Sequence, residues 1–254
     1  MNAILLCAGF ATRMHPLTKE LPKALLDIAG EPVIDHLIGQ ILGFRGLDSI
    51  TVVTNDRFFG RFLAWGEEKN GEITERGISL YILNDGIRRA EDRLGAAGDL
   101  GYAVRHITWS KGTVVAAGDN IFRFPLEPFW EKFLSGDRSY VLALPTEERQ
   151  RLRKTGVLEI DEDGRVLAFH EKPEDPPSDL ACPALYFLKP EALDLIHAYL
   201  SSEGAKDEIG YFISYLALHD KVYAIRTEGE AIDIGTIESY ERAKRILSEV
   251  RVIL

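Results

Sequence analysis

Short continuous apolar runs alternate along the first half of the chain with stretches in which apolar residues recur every three or four positions. Ala3–Cys7 is one such run, ends at Gly9, and has the character of a strand buried on both faces. Val33–Leu42 follows Pro32 and places Val33, Leu37, Ile38, Ile41 and Leu42 at helical spacing, with Pro32 suited to a first turn. Ile50–Thr54 predicts a second strand, Phe58–Glu68 a helix and Ile78–Leu83 a third strand. Leu100–Ile107 predicts a helix, Thr113–Ala117 a strand and Pro128–Leu134 another helix. Strand and helix in alternation predict βαβ units and a mostly parallel sheet.

The second half changes character. Tyr140–Leu144, Val157–Ile160, Val166–His170 and Leu185–Leu188 predict strands, and the turn Asp161-Glu162-Asp163-Gly164 predicts a hairpin between the middle two. Helices return at Pro190–Leu200 and Ile209–His219, followed by a strand at Val222–Arg226 and a helix from about Ile237 to Val250. Tyr211, Phe212 and Tyr215 form a stripe expected in the core. The economical fold is one doubly wound α/β domain over residues 1–254, with an antiparallel insertion. In such sheets ligands gather beyond the carboxyl ends of the strands, so the loops after Cys7, Leu83 and Ala117 are the places to seek chemistry.

Composition narrows the choice. The 254 residues carry 30 Lys+Arg against 40 Asp+Glu, a formal charge of −10, with 46% of residues hydrophobic. This length supports a substantial core, and this apolar content is incompatible with wholesale disorder. The acidic balance excludes a broad nucleic-acid surface, which needs a basic stripe. It does not exclude a small phosphorylated ligand, because screening over about 8 Å lets local cations decide. No apolar run approaches the ~20 residues that cross a bilayer, and the N-terminus lacks a basic signal-peptide region. Two cysteines, Cys7 and Cys182, form neither a disulfide framework nor a zinc spacing, which points to a reducing, cytoplasmic setting. The six histidines show no ligand spacing.

The cations cluster early. Between Cys7 and Leu26 the chain offers Gly9 and Ala11, whose small side chains leave backbone N–H groups open to an anion, then Arg13, Lys19 and Lys23. Arg13 can clasp phosphate with two parallel hydrogen bonds and Lys23 adds a point charge. Neither a P-loop nor the dinucleotide fingerprint is present.

The stretch Ala8-Gly9-Phe10-Ala11-Thr12-Arg13…Pro22-Lys23-Ala24-Leu25-Leu26 resembles the signature of the sugar-phosphate nucleotidyltransferases, or NDP-sugar pyrophosphorylases, particularly those that are glucose-1-phosphate thymidylyltransferase-like. It departs from their A-G-x-G-T-R…P-K-P-L pattern at Ala11, for the second Gly, and at Ala24, for the second Pro. Further segments are similar in the same order: Gly118-Asp119-Asn120, Gly156-Val157-Leu158-Glu159, Phe169-His170-Glu171-Lys172-Pro173, Ala184-Leu185-Tyr186 and Asp233-Ile234-Gly235-Thr236. The resemblance covers most of the chain. It implies a Rossmann-like sheet, with a nucleotide-binding half over about 1–120 and a sugar-binding half over about 121–254. The β-helix domain that some relatives append is not expected.

By the same resemblance the reaction is sugar 1-phosphate + NTP → NDP-sugar + pyrophosphate, assisted by Mg²⁺. Asp119 and Asp233 would hold the metal; Arg13, Lys23 and Lys172 would be the catalytic cations. Ala8, Gly9, Ala11, Thr12, Asn84 and Gly95 would line the nucleotide, and Gly156, Glu171 and Lys172 the sugar phosphate. Glu171 and Lys172 are adjacent, so both reach one ligand only if the strand ends there. Family members often read a pyrimidine with a Gln five residues before a Gly-rich turn; here that position is Ala90, leaving Asn84, Asp85 or Glu91 as substitutes. The implied partners are an NTP (dTTP, UTP or CTP) and a sugar 1-phosphate, with neither nucleic acid nor membrane, in a monomer or small homo-oligomer. A cytidylyltransferase for a phospho-alcohol such as phosphocholine and a non-catalytic nucleotide- or sugar-sensing member of the fold are the competing readings.

Overall fold

The computed structural model describes residues 1–108, 111–202 and 205–251. The first half contains β1 (Asn2–Leu6), β2 (Asp27–Ile28), β3 (Glu31–Pro32), α1 (Val33–Ile41), β4 (Ser49–Thr54), α2 (Phe59–Thr74), β5 (Ser79–Asn84), α3 (Ala96–Val104), β6 (Thr113–Ala117) and β7 (Asn120–Phe122). The second contains α4 (Glu127–Ser135), β8 (Ser139–Pro145), α5 (Arg149–Leu152), β9 (Gly156–Ile160), β10 (Val166–Glu171), β11 (Leu180–Cys182) and β12 (Leu185–Leu188). The chain continues through α6 (Pro190–Ser201), α7 (Ile209–His219), β13 (Val222–Arg226), β14 (Ala231–Asp233) and α8 (Ile237–Arg251).

Ten strands form one sheet in the order β10-β9-β11-β8-β12-β6-β1-β4-β5, with β13 also beside β8. Strands β6, β1, β4 and β5 pair in parallel, and β12 runs antiparallel between β6 and β8. The expected hairpin of β9 and β10 is antiparallel and joins β8 through β11, forming the antiparallel extension at one end. The continuous apolar runs are explained by burial on both faces. On β1, Ala3 and Leu5 pack into the layer that holds Leu37, Phe62 and Trp130, whereas Ile4 and Leu6 face Leu100, Ile196 and Phe212.

The chain runs outward from β1 through α1 to β4 and through α2 to β5, then returns by α3 to β6 on the other side of β1. The connections after β1 and β6 therefore part from each other and open a crevice at the carboxyl ends of the strands. A separate ribbon of β7 and β14 pairs Asn120 with Asp233, and α8 packs there through Tyr240 and Ala243 against Met14, Ile28, Ile121 and Ile232. That ribbon carries the distant Asp233 segment to the mouth of the crevice.

Five short strands, β2, β3, β7, β11 and β14, and the single-turn helix α5 go beyond the elements predicted from sequence, because two to four residues are too few for a periodic signal. Helix α3 starts at Ala96 rather than Leu100; the Ala96 and Ala97 N–H groups donate to the Asp207 and Lys206 carbonyls at 2.9 and 3.1 Å, and this long-range cap lets the Gly-rich run enter the helix. The expected aromatic stripe is only partly core: Phe212 is buried, Tyr215 half-buried and Tyr211 exposed. No helix among the described residues is long and apolar enough to cross a membrane.

Gly118 lies where the crevice opens, and a Cβ there would collide with the Cys7 sulfur, which is itself buried. Gly118→Ala is therefore expected to cost about 1–3 kcal/mol of stability. Cys7→Ala in the same chain should recover part of that loss, as a denaturant double-mutant cycle would show; additive losses would contradict the collision.

Candidate active site

The loop after β1 is held from beneath. The Asn55 side-chain amide donates to the Ala8 carbonyl at 2.7 Å, the Thr18 hydroxyl donates to the Ala11 carbonyl at 2.7 Å, and Phe10 is buried. Gly9 is exposed, with open space where a side chain would stand. Ala11 adopts a left-handed backbone, φ 48° and ψ 38°, a conformation that costs an L-residue about 1–2 kcal/mol and that the second glycine of the resembling signature adopts freely. Ala11 thus keeps the turn at an energetic cost. Thr12 and Arg13 open the following 3₁₀ turn, both exposed.

Beneath them Lys23 forms an ion pair with Asp119, and Asp119 is buried. Asp233 reaches the same point because β14 pairs with β7 and the Ile234 N–H donates to the Asp119 carbonyl at 3.0 Å. Burial opposes the Lys23 ammonium, but Asp119 and Asp233 outweigh it and hold its pKa above the ordinary lysine value. Asp233 lines the cleft, where the residue as a whole remains exposed while the surrounding protein crowds its carboxyl. Desolvation by the surrounding protein, followed by repulsion from Asp119, pushes its carboxyl up to about 6 against the pull of Lys23, Lys172 and Arg13. A Cβ on Gly235 would stand 2.8 Å from the Asp233 carboxylate, so the glycine leaves room for that side chain.

Two facing carboxylates are what Mg²⁺ asks of a protein when phosphates and waters complete its shell. Their mutual repulsion, relieved here by a lysine, marks a place for added positive charge, and the donor set fits the expected metal. Among the described residues no group of three or more metal-ligating side chains occurs, so a site filled by protein ligands alone is absent there.

At the other end of the cleft, β10 ends at Glu171 and Lys172 takes a left-handed turn at φ 47°. That turn breaks the alternation of the strand, and both neighbouring side chains line the same cleft. Lys172 pairs with Glu208 and lies 3.7 Å from the Glu171 carboxylate. Glu171 tucks against α7, where any Cβ on Gly210 would overlap its Oε2. Burial, opposed by Lys172 and reinforced by Glu208, raises its pKa to about 7. Gly156 packs against the Phe169 ring so closely that a Cβ would clash, which fixes the β9 backbone at the cleft floor.

The cleft encloses about 1000 Å³ and is lined by Ala8, Gly9, Ala11, Thr12, Arg13, Lys23, Gly95, Asp119, Gly156, Glu171, Lys172 and Asp233. One expected site residue is absent from it. The Asn84 side chain donates to Asp56 at 2.9 Å and accepts from the Gly86 N–H at 2.9 Å, so it shapes the turn after β5 and does not face the nucleotide end. Glu91 is exposed beside Arg89 and does not line the cleft, whereas Asp85 does. The sequence reading also missed Arg93, Asp99, Arg151, Lys154 and Glu208 in the wall. Their only sequence signal is proximity to strand ends or to the Gly-rich turn.

Residues 2–249 match the family model described as Nucleotidyl transferase. The chain belongs to the nucleotidyl transferase family. It is 25% identical over 250 residues to a UTP–glucose-1-phosphate uridylyltransferase, AglF, of Haloferax volcanii, covering 98% of this chain and 97% of that protein. It is 26% identical over 235 residues to the bifunctional protein GlmU of Methanocaldococcus jannaschii, covering 92% of this chain but 51% of that protein, so the chain spans about half of that relative's length. The fold matches that of a UDP-glucose pyrophosphorylase solved with UDP-glucose, at TM-score 0.80 and 20% identity, covering 98% of each chain.

Glu171 gains a proton more readily folded than unfolded, so its contribution to stability is complete below about pH 4.5 and is lost as pH rises through about 7. Glu171→Gln should therefore raise the melting temperature by a few degrees at pH 8 and change it little at pH 4. Equal shifts at both pH values would contradict the buried acid.

Proposed function

We propose that this nucleotidyltransferase condenses a sugar 1-phosphate with a nucleoside triphosphate, giving an NDP-sugar and pyrophosphate by in-line attack on the α-phosphorus. The observation that carries this reading is the convergence of Arg13, Lys23, Asp119, Asp233 and Lys172, drawn from four separate segments, in one cleft at the reversal of strand order.

The nucleophile, a phosphate monoester, is already an anion near neutral pH, so no side-chain base is required. The chain instead supplies position and charge. Arg13, exposed at the mouth of the β1 loop, holds and neutralises the departing pyrophosphate. Lys23, deeper in the cleft and kept fully protonated by its two aspartates, faces the α-phosphate. Lys172 leaves Glu208 for the sugar phosphate and orients its attacking oxygen. Glu171, titrating near neutrality, offers either a hydrogen-bond donor or an acceptor to sugar hydroxyls. Asp119 and Asp233 would hold Mg²⁺, which when bound would supply neutralising charge to the phosphate oxygens. The start of β9 and the end of β10 form the sugar side of the cleft, and the connections after β1 and β5 form the nucleotide side. Similarity to a relative that transfers a uridylyl group to glucose 1-phosphate supports the same pair of substrate classes.

Pyrophosphate release should be measured over a panel of sugar 1-phosphates, with phosphocholine as the competing acceptor. Asp119→Ala is expected to lower turnover at least about a hundredfold without loss of fold, and chelation of divalent metal should stop the wild-type reaction. Full activity of Asp119→Ala, still requiring Mg²⁺, would overturn the metal assignment; turnover with phosphocholine alone would overturn the sugar.

A further inference from the structure

The wall of the cleft beyond β4 carries an acidic pair that the chemistry above does not use. Asp85 follows β5 and Asp99 lies in the first turns of α3, and both line the cleft. The Asp85 Oδ1 accepts the Ile87 N–H at 2.7 Å, and the two carboxyl groups hydrogen-bond each other. Such a bond requires one shared proton. Asp99 keeps it: only 6% of the residue is exposed, and burial, then the Asp85 charge, raises its pKa to about 8. Among the described residues the buried Asp99 Oδ1 has no hydrogen-bond partner. Asp85 is half-buried, and burial raises its own pKa while the Ile87 N–H and the Asp99 contact hold it down. The result is a carboxylate gripped by two donors, a backbone N–H and a carboxylic acid, with lone pairs left for the cleft.

We infer that Asp85, positioned by Asp99, selects a guanine nucleotide at this end of the cleft. The inference rests on the nucleotidyl-transfer reading, because that reading anchors the phosphates on the loop after β1 and the sugar phosphate at Lys172. The base then lies on the β5 side, where Asp85, Ala90, Gly95 and Asp99 form the wall. Ala90 contributes only a methyl group and offers no amide to a pyrimidine edge. Arg93 in the same wall is held by Asp207 at 2.8 Å and the Asp99 Oδ1 is buried, so the Asp85 carboxylate is the acceptor left to meet the base and the fitting edge is the one richest in donors. Guanine presents N1–H and the 2-amino group side by side and can meet one carboxylate with two parallel hydrogen bonds. Uracil and thymine present one N–H between two carbonyl oxygens, which a carboxylate repels. Cytosine and adenine present one amino group beside a ring-nitrogen lone pair. A paired contact of this kind discriminates by roughly ten- to hundredfold. Asp99 is a positioning residue: its proton holds Asp85 in place and prevents a second negative charge in the pocket. This base replaces the pyrimidine nucleotide expected from the family resemblance.

The test compares GTP, ITP, ATP, UTP and dTTP, both as substrates in pyrophosphate release across the sugar 1-phosphate panel and as ligands in calorimetric titration of the intact chain. GTP is expected to exceed UTP at least about tenfold in kcat/KM and in affinity. ITP, which lacks the 2-amino group, should fall between them. Asp85→Asn should collapse the GTP-to-UTP ratio. Asp99→Asn should largely preserve it, because an amide N–H still donates to Asp85, and Asp99→Leu should not. A preference for UTP or dTTP in both measurements, an ITP equal to GTP, or an unchanged ratio in Asp85→Asn would overturn the inference. Selective GTP binding without pyrophosphate release from any sugar phosphate would leave base selection standing and remove the proposed transfer. Release that favours a pyrimidine triphosphate would do the reverse.

Discussion

At the centre of the cleft a lysine ammonium stands among aspartates that repel one another, and the surrounding fold serves to keep them there. Lys23 arrives on a 3₁₀ turn, Asp119 on the connection after β6, and Asp233 on a short strand from the far end of the chain. Burial alone would discharge the lysine and protonate at least one carboxylate. Together the charges satisfy each other in part, and the remaining imbalance falls on Asp233. A site left in this condition would gain from a further cation, which is the physical basis of the metal role proposed for it.

The supporting structure is specific to that task. The reversal of strand order between β1 and β6 parts the two connections, and Gly118 lets them part at a point where no side chain fits beside Cys7. The ribbon of β7 and β14, with its own small core under α8, fixes Asp233 in register opposite Asn120. At opposite ends of the cleft two non-glycine residues, Ala11 and Lys172, are held in left-handed backbone. Each places functional groups that a regular strand or turn would direct elsewhere, a pattern in which local strain is maintained by tightly packed surroundings.

The cleft is graded in charge from end to end. Cations gather near Arg13, Lys23 and Lys172, while carboxyl groups with raised pKa values mark both flanks, Glu171 at one end and the Asp85–Asp99 pair at the other. Buried acids of this kind remain protonated, or share a proton, close to neutrality. They therefore act as directional hydrogen-bonding groups as well as charges. The global charge of −10 does not by itself oppose anion binding, because distant charges are screened and Asp119 and Glu208 in the cleft are held by lysines.

Much of this was legible in the chain itself. Continuous apolar runs separated by helical periodicity identify a buried, largely parallel sheet, since burial on both faces removes the alternation of an exposed strand. The cationic loop after the first strand is likewise visible, and Asp119 and Asp233 stand out through the resemblance of their segments to the sugar-phosphate nucleotidyltransferase signature. Tertiary structure decided the rest. Asn84 turned inward to Asp56 because the turn after β5 needed its two hydrogen bonds, leaving Asp85 to face the cleft. Helix α3 began early because carbonyls more than a hundred residues away cap it, and Asp99 met Asp85 only because that helix packs beside β5's end. The sequence by itself determined which layers form and which charges exist; the pairing of segments distant along the chain decided which of those charges meet, since proximity between remote residues arises from packing and leaves no periodic mark on either one.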